Sequence, residues 1–342
     1  MYARRSLRWS VIARFSWKPL LVFTAYGIVV TAVAAWLRSR GVDVGLAPGP
    51  ISTIGVAVAF YVGFKNNQAY DRFWEARKIW GGIVNVSRSW GNGVLTFVSA
   101  KHAGGEPEAG FIASDEVEAV RRRMIYRHLA WINALRFQLR RKSPWGFEPK
   151  GAARRFMQET ELGAMRKELT PLLPESELGV VCERVNSATQ ILRLQGEDLR
   201  RAADVDGTID EFRLISLNDM ITECYTLQGK CERIKNTPLP RQYAFFSAVF
   251  TRIFIALLPL AIYGGFAAAG QNVWLSVPLF VVIAWVFETM EQVGDSSEDP
   301  FENYANDVPM SALCRTIEID LRQMLSEKET PPGLKPVDDI LM

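Results

Sequence analysis

Ile51-Ser-Thr-Ile-Gly-Val-Ala-Val-Ala-Phe-Tyr-Val-Gly-Phe64 runs without a break into Lys65-Asn66-Asn67 and then into a charged helical stretch from Tyr70 to Trp80. At helical period Val56, Phe60 and Phe64 stack as a ridge of large apolar groups, while Gly55, Ala59 and Gly63 form a ridge of small ones about 100° away. Small residues at that spacing let helix backbones pack closely inside a membrane. The apolar part is fourteen residues, and at about 1.5 Å per residue it covers roughly 21 Å, short of the ~30 Å hydrocarbon core. Alone in lipid it does not span comfortably. With copies arranged around an axis, the small ridge serves the helix contacts and the Val/Phe/Phe ridge faces inward as a narrow apolar neck. The competing reading is a buried helix in which the same residues are ordinary core.

Outward from that stretch, the 342-residue chain mixes very apolar with very charged blocks, so that its mean hydropathy of +0.03 is only an average. This predicts a membrane protein with a soluble part. A net charge of +3 is too small to argue for nucleic acid as a partner. Cys182, Cys224, Cys231 and Cys314 lack CxxC spacing, and His102 and His128 have no metal-ligand pattern around them, so no metal site is expected. A reduced, cytoplasmic setting suits all four cysteines. An enzyme needs a nucleophile beside a base, a metal cluster or a phosphate loop, and none is visible. Glu288-x-x-Glu291 puts two carboxylates on one helix face, but without a histidine partner it reads as a solvated or salt-bridged face.

Residues 1–18 carry Arg4, Arg5, Arg8, Arg14 and Lys18 around an apolar stripe of Leu7, Val11 and Phe15, which predicts an interfacial N-terminal helix. Pro19 to Leu37 follows as nineteen residues with no charge, the first transmembrane segment. A secretory leader cleaved near Ala32-Val33-Ala34 is the alternative, though the run exceeds the usual apolar region of such leaders. Arg38 to Pro50 is a short outer loop, and the neck segment returns the chain, so 19–64 holds the first two spans. Residues 65–241 read as a cytoplasmic helical domain. Its breaks fall at His102 to Gly110, Ser143 to Gly146, Pro171 to Pro174 and Asp204 to Gly207, and a Thr208-x-x-Glu211 capping box opens the last long helix. Ile253 to Phe287 is thirty-five residues without a charge, a hairpin supplying the third and fourth spans within 242–287. Arg252 is placed at the inner interface. Residues 288–342 return to the cytoplasm. The expected fold is all-α, with four transmembrane helices, both termini cytoplasmic in the inner membrane, and basic residues concentrated on the inner flanks.

Asn66-Asn67-Gln-Ala-Tyr-Asp-Arg72-Phe-Trp74-Glu75-Ala76-Arg77-Lys78-Ile-Trp80 and the stretches Asp299-Pro300-Phe301-Glu-Asn303-Tyr-Ala-Asn306-Asp307 and Leu313-Cys314-Arg315-Thr316-Ile317-Glu318 resemble the bacterial branch of the bestrophin family. The resemblance covers about residues 10 to 325 and is weakest between 95 and 205. It implies a homopentameric ion channel with one central pore, a hydrophobic neck on the second span, and a vestibule enclosed by cytoplasmic helices. The family's neck positions match Val56, Phe60 and Phe64, the ridge already found from spacing. Its cytoplasmic aperture maps to Ile215. Eukaryotic members clasp calcium with an unbroken acidic run after Pro-Phe. Here Asp295, Glu298, Asp299, Glu302 and Asp307 are scattered, so no cofactor is expected, calcium is doubtful, and a solvated acidic linker is the simpler reading.

The expected function is a channel passing monovalent anions such as chloride. A neck without charge or carbonyl ladder favours ions that shed water readily, phenylalanine edges attract anions mildly, and Lys65 and Arg72 add an anion bias if they face the lumen. Asp71 opposes them. A monovalent-cation channel of the same architecture is the runner-up, since some bacterial members of the family prefer cations. A membrane-anchored helical scaffold or sensor is the third reading.

Overall fold

The structure, a computed structural model, describes residues 1–4, 6–99, 115–143 and 162–342. Its regular elements are helices: α1 (Trp9–Ser39), α2 (Pro48–Phe97), α3 (Asp115–Arg140), α4 (Leu162–Leu169), α5 (Glu175–Glu183), α6 (Ser187–Asp204), α7 (Glu211–Asn236), α8 (Arg241–Ala268), α9 (Ser276–Ser297) and α10 (Met310–Met324). Among the described residues the β pairing is confined to isolated bridges of Ile340 with Tyr2 and Val337. Arg5 and the expected breaks at His102 to Gly110 and Pro144 to Gly146 lie outside the described residues. The other two breaks separate α4 from α5 and α6 from α7.

The chain forms two compact units, each discontinuous in sequence. The apolar unit holds Arg4–Arg72 and Pro238–Glu298; the polar unit holds Met1–Ala3, Phe73–Thr237 and Asp299–Met342. In the apolar unit α1 and α8 pack on α9. Among the described residues, three stretches there are long and apolar enough to cross a membrane: Trp9–Ser39, Arg241–Ala268 and Val273–Ser297. The neck stretch of α2 is not a fourth by that measure, because its apolar run ends at Phe64. Nor is the amphipathic stretch before Pro19 a helix of its own: α1 runs from Trp9 through Pro19 to Ser39 without interruption.

In the polar unit α3 packs on α6, α10, α4 and α7. Its core joins Trp80, Trp90 and Trp131 with aliphatic residues of α3, α6, α7 and α10. The starts of α6 and α7 are capped by short polar side chains. The Asn186 side chain accepts from the Thr189 amide, and at α7 the Asp210 side chain accepts from the Arg213 amide. That corrects the expected capping box. Thr208 is buried and its hydroxyl donates back to the Ala202 carbonyl at 3.2 Å, so α7 opens at Glu211 behind an aspartate cap.

Candidate functional site

The candidate site is the exposed face of α2 in the apolar unit. Pro48 opens the helix, where its missing amide hydrogen costs nothing, and the hydroxyls of Ser52 and Thr53 donate to the Pro48 and Gly49 carbonyls at 2.9 and 3.2 Å. From there the helix divides by side. Ile51, Val58, Val62 and Ala69 are buried, the first three clustering with Phe254, Ile255, Leu258, Phe280 and Ala284. The other side carries Val56, Phe60 and Phe64, which are 58%, 65% and 66% exposed. Apolar groups of this size stay exposed on a chain where lipid or another chain is to cover them or where they line a passage. Asn67 and Asp71 continue the exposed side beyond Phe64.

The small-residue ridge lies beside it. Gly55 is where the Phe254 ring approaches, since a Cβ there would stand 2.8 Å from the ring. Gly55 and Ala59 line an apolar groove of about 580 Å³ with Val56, Phe254, Leu258 and Phe287. Gly63 faces open space.

Lys65 lies off the exposed side that carries Phe64, so the condition on which it would add an anion bias is not met in this chain. It is 3% exposed and its ammonium donates to Glu291 Oε1 and, at 2.5 Å, to Asp295 Oδ1. Ser247 of α8 donates to the second Glu291 oxygen at 2.6 Å, and Asn66 Nδ2 donates to the Met290 carbonyl at 3.0 Å. The reason is register: position 65 falls on the buried row with Val58, Val62 and Ala69, one residue and about 100° round from Phe64. Two carboxylates four residues apart on α9 meet it there. The Glu288-x-x-Glu291 pair is thereby resolved, with Glu291 ion-paired and buried and Glu288 accepting from Gln292 at 2.7 Å. Sequence reasoning missed this cluster, although a lysine at the period of the buried row was its available signal. Arg72 is half-buried, Asp71 and Arg252 are exposed.

In the polar unit Ile215 is 59% exposed on α7, while Leu217, Ile221, Cys224 and Cys231 are the buried stripe of that helix. The acidic run is not a solvated linker. Glu302 is buried and accepts from Ser143 Oγ at 2.8 Å and Lys235 Nζ at 2.5 Å. Burial raises the Asp307 carboxyl to about 8, and it accepts from the Tyr304 amide at 3.0 Å. Among the described residues no group of three or more His, Cys, Asp or Glu is placed to hold a metal. His128 is buried, stacked on Trp90 with ring centroids 5.9 Å apart, hydrogen-bonded to Ser87 Oγ at 2.8 Å, and pushed down by burial to about 3. All four cysteines are free, and burial pushes the Cys314 thiol up to about 11.

This arrangement is that of an all-helical membrane protein with an exposed apolar helix face. The chain belongs to the bestrophin family in its bacterial and fungal form: the family described as Bacterial/Fungal Bestrophin protein matches residues 3–323. Among its relatives, the voltage-dependent anion channel-forming protein YneE of Escherichia coli is 30% identical over 340 residues, covering 98% of this chain and 95% of the relative. The voltage-dependent anion channel-forming protein mll4386 of Mesorhizobium japonicum is 29% identical over 337 residues, covering 97% and 91%. A crystal structure of a bacterial bestrophin homolog from Klebsiella pneumoniae shares the fold with a TM-score of 0.73 at 24% identity, covering 90% of this chain and 98% of that one.

Proposed function

We propose that the protein is a homopentameric ion channel of the cell membrane, with four spans, both termini cytoplasmic, and a pore lined at its neck by Val56, Phe60 and Phe64. The observation that carries this reading is the exposure of those three side chains on one face of α2. A short apolar stretch of helix that leaves such a ridge uncovered suits neighbours that close a ring around it. The groove beside Gly55 and Ala59 is suited to receive the neighbouring helix. Ile215, exposed near the start of α7, is the proposed cytoplasmic aperture, where a ring of branched aliphatics narrows a wet path without ligating an ion. The permeating species are monovalent anions, with larger, weakly hydrated ones favoured over chloride, in keeping with the relatives named as anion channel-forming proteins.

One observation favours the cation reading instead. Lys65 is withdrawn from the exposed side, and Asp71 remains on it. The test is the reversal potential of the purified protein in a planar bilayer under a salt gradient, for wild type and Phe60→Ala. Expected are reversal near the anion equilibrium potential and changed permeability ratios in the variant. Reversal near the cation potential overturns the anion assignment, and unchanged ratios in Phe60→Ala remove Phe60 from the neck.

A further inference from the structure

Phe64 and Lys65 are consecutive, and they have opposite surroundings. The first is 66% exposed and the second is 3% exposed. On a helix, adjacent residues differ by about 100°, so a rotation that buried the Phe64 ring would swing Lys65 off its partners, and the reverse. The angular setting of the neck ridge is therefore tied to whatever holds Lys65.

The holding groups come from two helices. Glu291 and Asp295 on α9 both accept from the Lys65 ammonium, and Ser247 on α8 completes the second Glu291 oxygen. The adjacent residue is held as well, because Asn66 Nδ2 donates to the Met290 carbonyl and its Oδ1 lies against Gly294, where any Cβ would collide with it. These contacts differ in kind from the hydrophobic packing around Val58 and Val62. Apolar attraction is non-directional, whereas the bonds of a buried lysine are directed, and its charge is stable there only while its donors stay engaged.

We propose that Lys65, Glu291, Asp295 and Ser247 form a clamp that sets the rotation of α2 and so points Phe64 toward the ion path. They are positioning residues for permeation that touch no ion themselves. The inference rests on the channel reading, but its first measurement does not require current.

That measurement is the rate at which a water-soluble methanethiosulfonate modifies the thiol introduced by Phe64→Cys, in a Cys182→Ser background because the other three cysteines are buried. With the clamp intact, the introduced thiol is expected to react readily. Lys65→Met/Glu291→Gln removes the ion pair without leaving an uncompensated pair member at Glu291, keeps the Ser247 hydroxyl bonded, and leaves Asp295 on the more open side, where its side chain is 32% exposed. It should slow modification of the introduced thiol about tenfold as the helix samples other rotations, and shift the permeability ratios of the channel that retains Phe64. If that variant does not assemble, Ser247→Ala takes only one hydroxyl from the set, and a severalfold slowing is expected. Unchanged thiol reactivity in whichever variant assembles overturns the clamp. A wild type that carries no current, with thiol reactivity still falling in the clamp variants, overturns the channel reading and leaves the clamp standing.

Discussion

The neck stretch of α2 and the helix α3 invert the usual rule. The first is apolar and lies exposed at Val56, Phe60 and Phe64; the second carries Arg127, Arg136 and Arg140 and buries all three. From Met124 to Arg140 only Tyr126 and Gln138 of α3 escape full burial. The difference is in partners. Arg127 donates to both Glu177 oxygens at 3.1 and 2.7 Å and to Asp198 Oδ2 at 2.6 Å. Burial alone would lower its affinity for the proton, but Glu177 and Asp198 outweigh that and raise it. Arg136 donates to Ser311 Oγ at 3.0 Å and to Glu168 at 3.3 Å. A charge that meets opposite charges and acceptors can be buried, while the Val56, Phe60 and Phe64 ridge is left for lipid, another chain or a passage to cover.

Breaking α3's side of the comparison is the largest expected effect. Arg127→Met strips Glu177 and Asp198 of a shared cation and should cost about 3–5 kcal/mol, read as a lowered thermal midpoint of the detergent-purified protein. A loss below about 1 kcal/mol would mean that α3 is held by its apolar contacts and that the arginine network is incidental.

A smaller effect tests the buried carboxyl of the same unit. Asp307 keeps its proton in the folded state up to about 8, while the unfolded chain releases it near the ordinary value of 3.8. Between those values the folded state binds more protons than the unfolded one, so this group lowers stability as pH rises. His128, pushed down to about 3, acts in the opposite direction, so only the difference between wild type and Asp307→Asn isolates Asp307. From about pH 4 to about pH 6, Asp307→Asn should gain roughly 1–3 kcal/mol over wild type in chemical denaturation. A difference that is flat with pH would show that the carboxyl titrates at its ordinary place.

The smallest effect sharpens the neck's side. Phe60→Ala should change the thermal midpoint by no more than about 0.5 kcal/mol equivalent, because the ring is already exposed. A cost of about 3–5 kcal/mol, as for emptying a packed site, would place Phe60 in a contact between subunits rather than on a lumen.

Periodicity along the chain determined much of this protein. The Val56, Phe60 and Phe64 ridge follows from a spacing of four, the long apolar runs from their length, and the breaks at Pro171 to Pro174 and Asp204 to Gly207 from residues that cannot continue a helix. These are local properties, and local rules read them. The tertiary structure decided what depends on a partner far along the chain. Glu291, which meets Lys65 on the buried row, is 226 residues away, and no spacing rule reaches that far. Lys235 and Ser143 turn Glu302, in an apparently solvated acidic stretch, into a buried, bonded carboxylate. At α7 two residues had capping chemistry, and Thr208 was engaged by Ala202 and by the Ser99 amide that donates to its carbonyl at 3.0 Å, leaving the cap to Asp210. A charged or hydroxyl side chain states what bonds it can make; only the fold states which groups come near enough to make them.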